Sequence, residues 1–494
     1  MFTAKKKCTA VSGISRRFGL AALAVIALGL AGCSEDVSID DAKTVATAPP
    51  YDPSKPVLIS DFTPKSGGVG QRIVIYGQNF GNDPSQIHVF IGGKEAVVIG
   101  VNGESLYCLV PEKAFSGDIK IRFGDDSLFR AEANTAFAYK RKMVVSTLCG
   151  YRNEFDSQGW LDGKFSEVTG FRNTSFMRYD PENPKHLWIA YDGNDLYLVN
   201  FEDSTVTRRL TRGQGNWDRL RSVDFTVDGK YMIISNDQGG ENDISTSILS
   251  RESGFTDPQA LTRYRQCNGA AIHPVNGELY FNSYERGQFY RFDIANSIPL
   301  GGYLGTKDYE ELFKIQDNGW EYNIRIHPTG NYAYIVVINQ HYILRTDYNW
   351  QQKKFMTPYV VAGYARSSGY VDGVGTVARL SSPWQGVFVK NPDYAGKIDE
   401  YDFYFTERDN HDIRILTPVG KVTTFAGRGS SSINTNPYGL VNGDLREEAR
   451  FDQPTGLAYD EADNAFYICD VANRCMRKIA MEEETVEEPE PEED

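Results

Sequence analysis

Apolar and polar residues alternate along most of this chain with the period of a half-buried strand, in short runs separated by Gly, Asn, Asp and Pro. In "RIVIYG", Ile73 and Ile75 point to one face while Val74 and Tyr76 point to the other. Several such runs between Val57 and Tyr139 predict a small sandwich over residues 56–140. From residue 142 to 481 a longer unit recurs: apolar strand, Asp/Pro/Gly turn, aromatic strand, turn, third strand. It is read in "FMRYDPENPKHLWIAYDGNDLYLVNF", "LRSVDFTVDGKYMIISND", "NGAAIHPVNGELYFNSYERGQFYRFDI" and "NIRIHPTGNYAYIVVINQHYILRTDY". Two late stretches, opening "GYVDG" and "GLVNG", align with each other and bring the count to six.

The residues of the first module carry a resemblance. "F-x-P-x-S-G-G" at Phe62 to Gly68, "G-x-N-F-G" at Gly77 to Gly81, "IGG" at Ile91 to Gly93 and Val110-Pro111 followed by Gly117 resemble the IPT/TIG family of immunoglobulin-like domains. The late repeats, above all "RFDQPTGLAYD" continuing to "AFYICDVANRCMRKI", resemble NHL repeats. These resemblances imply an all-β chain, an immunoglobulin-like β-sandwich followed by a six-bladed NHL-type β-propeller with four strands per blade. The IPT/TIG resemblance implies an interaction or spacer module and supplies no catalytic residue.

The last blade stops at "MRKIAM" and runs into the acidic tail, so its fourth strand is missing. "KVTTFAG" from Lys421 and "PYVVAG" from Pro358 are fourth strands of earlier blades, and "KMVVSTLCG" from Lys142 has the same character. A ring of blades must close, because an open ring exposes unpaired strand edges. Residues 142–149 are therefore expected to complete the last blade, with Met143 to Leu148 beside Arg474 to Ile479.

The ends add a location. Lys5, Lys6, Lys7, Arg16 and Arg17 precede the apolar run "FGLAALAVIALGL", and "LAGC" closes residues 1–32 at Cys33. This resembles a lipoprotein signal, which implies cleavage before Cys33 and lipidation of its thiol. "SEDVSIDD" follows and resembles the acidic signal of outer-membrane lipoproteins facing the cell exterior in some Gram-negative glycan degraders. Residues 33–55 read as a flexible tether. Residues 482–494 hold nine acidic side chains and no base, and read as a disordered tail. That tail supplies most of the net charge of −14, so the acidity says little about the partner. No basic patch interleaved with aromatics is present, which argues against nucleic acid. Five cysteines remain after Cys8 and Cys33, read as buried thiols at Cys108, Cys149 and Cys267, with a pairing of Cys469 and Cys475 left open.

Enzyme signatures are poor. There is no Gly-x-Ser-x-Gly, no His-Glu-x-x-His, no phosphate-cradling loop and no metal-spaced Cys/His cluster, so neither a catalytic residue, a metal nor a cofactor is assigned. A propeller gathers binding residues from equivalent loops at one mouth of its channel. Where strands begin, the sequence places Trp217 with Arg219, Trp320 with Glu321 and Trp384 with Gln385; Tyr284, Arg286 and Arg408 fall in turns after second strands. Aromatic rings stack on sugar C–H faces while charged and amide side chains bond the hydroxyls. These nine residues are the candidate glycan site, with Trp160 in the preceding phrase. The whole arrangement resembles surface lipoproteins that accompany glycan-import systems. That implies a non-catalytic polysaccharide-binding protein near an outer-membrane transporter. A propeller-based lyase or hydrolase and a protein scaffold are the alternatives.

Overall fold

A computed structural model describes residues 48–150, 162–168, 171, 174–192, 195–215, 217–283, 286–294, 305–315 and 321–483. The signal, lipobox and acidic segment, most of the tether, the tail from residue 484, Trp160, Tyr284 and Trp320 lie outside the described residues.

The first module is a sandwich of short antiparallel strands. Leu58–Thr63, Arg72–Gln78 and Ser105–Leu109 follow one another on one side, and Ile87–Ile91, Ile119–Phe123 and Ala131–Glu132 on the other. Lys94–Asn102 is long enough to pair with both sides: its start lies against Val89–Ile91, and its remainder against Ser105–Leu109. The alternation read in "RIVIYG" holds, with Ile73 and Ile75 buried and Tyr76 exposed. Phe62, Val89, Leu106, Cys108, Ile121 and Phe137 join them in one core.

Six antiparallel blades follow. Their inner strands are Thr174–Asp180, Leu220–Phe225, Ala270–Ile272, Tyr322–Ile326, Pro383–Lys390 and Pro454–Asp460, for blades 1 to 6. Outer strands Thr205–Leu210, Gln259–Arg263, Glu310–Lys314, Tyr359–Gly363 and Lys421–Gly427 complete blades 1 to 5. Blade 6 takes its outer strand from the start of the ring: Met143–Cys149 pairs antiparallel with Cys475–Met481, from Met143 opposite Met481 to Cys149 opposite Met476. This is the clasp expected from the missing strand.

The repeated phrase has a backbone cause. Gly363, Gly427 and Gly150 end the outer strands of blades 4, 5 and 6 with φ of +84°, +98° and +84°. A Cβ at each would lie 2.5–2.8 Å from the carbonyl oxygen of His341, His411 or Arg474, the left-handed residues of the adjoining turns. Only glycine offers that close approach without strain. A second repeated phrase adds an outermost strand to three consecutive blades: Gly163–Lys164 on blade 1, Gly373–Val374 on blade 5 and Gly443–Asp444 on blade 6.

Each of the six junctions between blades buries its own apolar cluster. The clasp feeds two of them, Val145 between blades 5 and 6 and Cys149 between blades 6 and 1. The five described cysteines are all free and buried, so Cys469 and Cys475 are not bridged; the register sets Cys469 opposite Met476 and Asp470 opposite Cys475.

Candidate functional site

Strand pairing fixes which residues share a mouth. The start of each inner strand lies opposite the end of the next strand: Leu220 faces Asn236, Tyr322 faces Val337, Pro383 faces Glu407 and Pro454 faces Asp470. Residues just before an inner strand and just after a second strand therefore gather at one end of the channel. Of the candidates named from the sequence, Trp217, Arg219, Arg286, Glu321, Trp384, Gln385 and Arg408 are described and belong to that end by position.

There the structure builds a charge network across three blades. Arg219 forks onto Asp192, with Nε 2.8 Å from Oδ1 and Nη2 2.9 Å from Oδ2, and its Nη1 lies 3.3 Å from Asp237. Arg221, one step deeper and buried, places Nη2 3.1 Å from Glu321 and Nη1 3.3 Å from Asp192. Arg219 and Glu321 approach to 3.9 Å. Burial alone would raise Asp192, but the Arg219 hydrogen bonds and the Arg221 charge outweigh it and hold the carboxyl below its usual range. Asp237 goes the other way: burial pushes it up against the pull of both arginines. The Arg219 side chain stays 41% exposed, so a fixed guanidinium faces solvent in a set orientation, with Glu321 partly exposed beside it and Asp237 buried beneath.

On blade 5 Arg408 bonds Asp409 through Nε at 3.0 Å and lies over the Trp384 ring at 5.3 Å. Asp409 accepts from Ser382 Oγ at 2.5 Å, and the Ser382 N–H donates to His341 Nδ1 at 3.1 Å. Arg286 stands on the rim, bonded to Glu241 at 2.9 Å and to the Tyr264 hydroxyl at 3.3 Å.

Three expectations are corrected. Trp217 is buried among Phe176, Trp188, Leu220 and Phe225, filling the wedge between blades 1 and 2 rather than facing a ligand. Trp384 is buried, with its indole N–H donating to the Ser175 carbonyl at 2.8 Å. Gln385 is wholly buried; its Oε1 accepts from Met177 N and Leu457 N at 2.8 and 3.0 Å, and its Nε2 donates to Met177 O at 2.7 Å. Inner strands have one edge without a ladder partner, and a buried backbone group without a partner is costly. Trp384 and Gln385 supply those partners across the channel, a structural task that consumes their polar atoms. His273 and His327 also have structural partners: His273 Nε2 lies 3.0 Å from Gly330 O and His327 Nδ1 2.7 Å from Thr329.

Among the described residues, the exposed rings at this end are tyrosines that sequence reasoning missed. Tyr364 follows the Gly363 turn and is 51% exposed; Tyr370 and Tyr438 are 36% and 47% exposed. Asn410 Nδ2 holds the Gly369 carbonyl beside Tyr370, and Tyr438 packs on His411 at 5.2 Å, which ties both rings to the mouth turn of blade 5. Arg428 covers one face of Tyr370 at 3.9 Å. Asp192, Asp237 and Arg221 were missed as well; the signal available was an acid directly after the second strand in blades 1 and 2. Among the described residues no group of three His, Cys, Asp or Glu is placed to hold a metal.

Comparisons with known proteins agree with this architecture. Residues 56–139 match the IPT/TIG domain family. A crystal structure of an auxiliary nutrient binding protein from Bacteroides thetaiotaomicron is 46% identical, with 88% of this chain and all of that one covered and a TM-score of 0.78. A B. thetaiotaomicron protein named "Putative phosphatase" is 45% identical, with 88% and 99% covered and a TM-score of 0.81. An auxiliary nutrient binding protein from Bacteroides ovatus is 39% identical, with 88% and 100% covered and a TM-score of 0.68. The NHL repeat-containing protein 2 of Bos taurus is 29% identical over 119 residues; that match takes in 24% of this chain and only 14% of the curated relative's length.

Proposed function

Because the chain belongs to the family that includes the auxiliary nutrient binding proteins of B. thetaiotaomicron and B. ovatus, we propose that it binds a nutrient glycan at the propeller mouth without transforming it. The observation that carries this reading is the pairing of exposed Tyr364, Tyr370 and Tyr438 with oriented charged groups, Arg219 and Glu321 among them, at one end of the ring. Sugar rings offer apolar faces to the first and hydroxyls to the second. Trp320, next in sequence to Glu321, remains in the proposed site. The "LAGC" ending and the acidic run after it support lipidation at Cys33 and display on the outer membrane, where the protein would hold polysaccharide for an uptake complex.

Affinity electrophoresis of the chain from Ala48 onward in gels containing different soluble polysaccharides tests this. At least one polysaccharide should retard the protein; Tyr438→Ala should relieve the retardation while leaving the unfolding midpoint unchanged, and Arg219→Gln should relieve it with a lowered midpoint, because Asp192 loses its forked partner. New reducing or unsaturated ends, or phosphate released from p-nitrophenyl phosphate, would move the protein to the catalytic reading. Retardation by no polysaccharide, or equal retardation of both variants, would refute the mouth as a glycan site.

A further inference from the structure

At the opposite end of the channel from the mouth lies a pair of arginines whose charge is not balanced. Inner strands run from the mouth toward this far end, and Arg178, Asp224 and Arg325 all lie near the ends of theirs, on blades 1, 2 and 4. Arg178 Nε meets Asp224 Oδ1 at 2.9 Å. The capacity of that carboxylate is already committed: Oδ1 also accepts from Phe225 N at 3.0 Å, and Oδ2 accepts from Ile272 N at 2.9 Å. The two N–H groups belong to the edge of blade 3 and to the strand of Asp224 itself, so the carboxylate cannot swing away without orphaning backbone donors.

Arg325 crosses from blade 4 toward the opposite blade and lies over the Phe176 ring, 5.7 Å from its centre. Among the described residues it has no hydrogen-bond acceptor and no ion pair. Its side chain is half-buried, and the charges it feels are the repelling Arg178 and the attracting Asp224. Burial first, and the Arg178 repulsion second, bring its guanidinium down to about 9. A guanidinium carries five N–H donors in a planar fork, which matches the oxygens of carboxylate, sulfate or phosphate. Two neighbouring guanidiniums that share one committed carboxylate lack an acceptor and one negative charge.

The geometry points to an oxyanion site between Arg178 and Arg325, at the far end of the propeller channel, for a sulfate, phosphate or carboxylate group. Entry is from the far end, because Trp384 and Gln385 cross the channel nearer the mouth and bond Ser175 and Met177, which precede Arg178 on its strand. The site is separate from the mouth and does not depend on the glycan reading.

Isothermal titration and thermal unfolding of the chain from Ala48 onward, with sodium phosphate, sodium sulfate and sodium galacturonate at an ionic strength held constant with sodium chloride, test the assignment. At least one oxyanion should bind and raise the unfolding midpoint, and Arg325→Gln should weaken that binding about tenfold or more. Without ligand the Arg325→Gln midpoint should equal or exceed the wild-type value, because the substitution removes a half-buried charge that has no partner and is repelled by Arg178. Should that variant fail to fold, Arg178→Lys keeps the charge, loses the fork and should still weaken binding severalfold. Binding of phosphate or sulfate without galacturonate supports a free ion, and the reverse supports an acidic sugar. No oxyanion-specific response, a response in both the Arg178 and Arg325 variants as strong as in the wild type, or loss of the response in Tyr438→Ala at the mouth would overturn the site.

Discussion

If Met143–Cys149 closes the ring, a small deletion in its core must be felt by the whole propeller. Val145 is buried and lies opposite Ile479 in the ladder, in the cluster that also holds Leu457, Phe466 and Ile468. Val145→Ala removes two buried methyl groups, about 1.6 kcal/mol of transfer free energy. The residual cavity raises the cost to about 2–3 kcal/mol. Ile479→Ala removes more and should cost about 3–4 kcal/mol. The two side chains share one pocket, so the double variant should depart from the sum by about 0.5–1 kcal/mol. Urea unfolding followed by tryptophan fluorescence reads this cleanly, because all six tryptophans lie between Trp160 and Trp384, within the propeller, and none lies in the sandwich. Far-ultraviolet circular dichroism reports both modules. A loose linker at residues 143–149 would tolerate Val145→Ala within about 0.5 kcal/mol. An unchanged fluorescence midpoint, or a loss seen only by circular dichroism, would refute the clasp.

Two further outcomes are expected. Gln385→Leu leaves Met177 N, Met177 O and Leu457 N without partners and should destabilise the propeller by roughly 3 kcal/mol or more in the same urea assay; weakened glycan binding at unchanged stability would restore Gln385 to the ligand site. Asp470 is fully buried against Arg477, and burial outweighs that partner, so its carboxyl is pushed up to about 6 from 3.8. A raised folded value means the folded state holds the proton more tightly, so this contribution to stability is fully present below pH 3.8 and lost as pH rises through about 6. Asp470→Asn, compared with wild type in urea titrations from pH 4 to 7, should flatten that decline; parallel profiles would rule the carboxyl out as its source.

The strands were legible because each answers to its own residues. The Ile73/Ile75 alternation and the glycines closing "VVAG", "TFAG" and "TLCG" need no distant information to be read. The clasp was legible for a topological reason: a ring that lacks one strand must take it from its other end. The site was less so, because a residue at the start of an inner strand can turn to the mouth or into the wedge between blades. Its neighbours decide, and for Trp384 the deciding atom is the Ser175 carbonyl, 209 positions away. The Arg221–Glu321 pair likewise joins blades 2 and 4, which no local pattern links. Tryptophan was weighted over tyrosine as a stacking ring, yet indoles are the larger apolar fillers, and Trp217 went to the junction between blades 1 and 2.

The two halves of the ring are built differently, and that difference bears on where a ligand could sit. Blades 5 and 6 each lock a mouth turn with a buried acid and arginine, Glu407 with Arg414 at 2.6 Å and Asp470 with Arg477 at 2.9 Å. In each lock the second Nη of the arginine reaches the incoming phrase, at Val371 O and Asp372 or at Val441 O and Asn442. The loops carrying Tyr370 and Tyr438 are thereby pinned to the sheets, so their rings are ordered before any ligand arrives. Blades 2 to 4 have no such phrase among the described residues, and the mouth there is tied by the Arg219 and Arg221 network reaching across to Glu321. A preorganised aromatic rim on one half and an oriented charged rim on the other suit a ligand that stacks on the first and is selected by its hydroxyls on the second. Loss of the Arg414 lock should therefore weaken glycan binding through Tyr370, although Arg414 itself is buried and out of a ligand's reach.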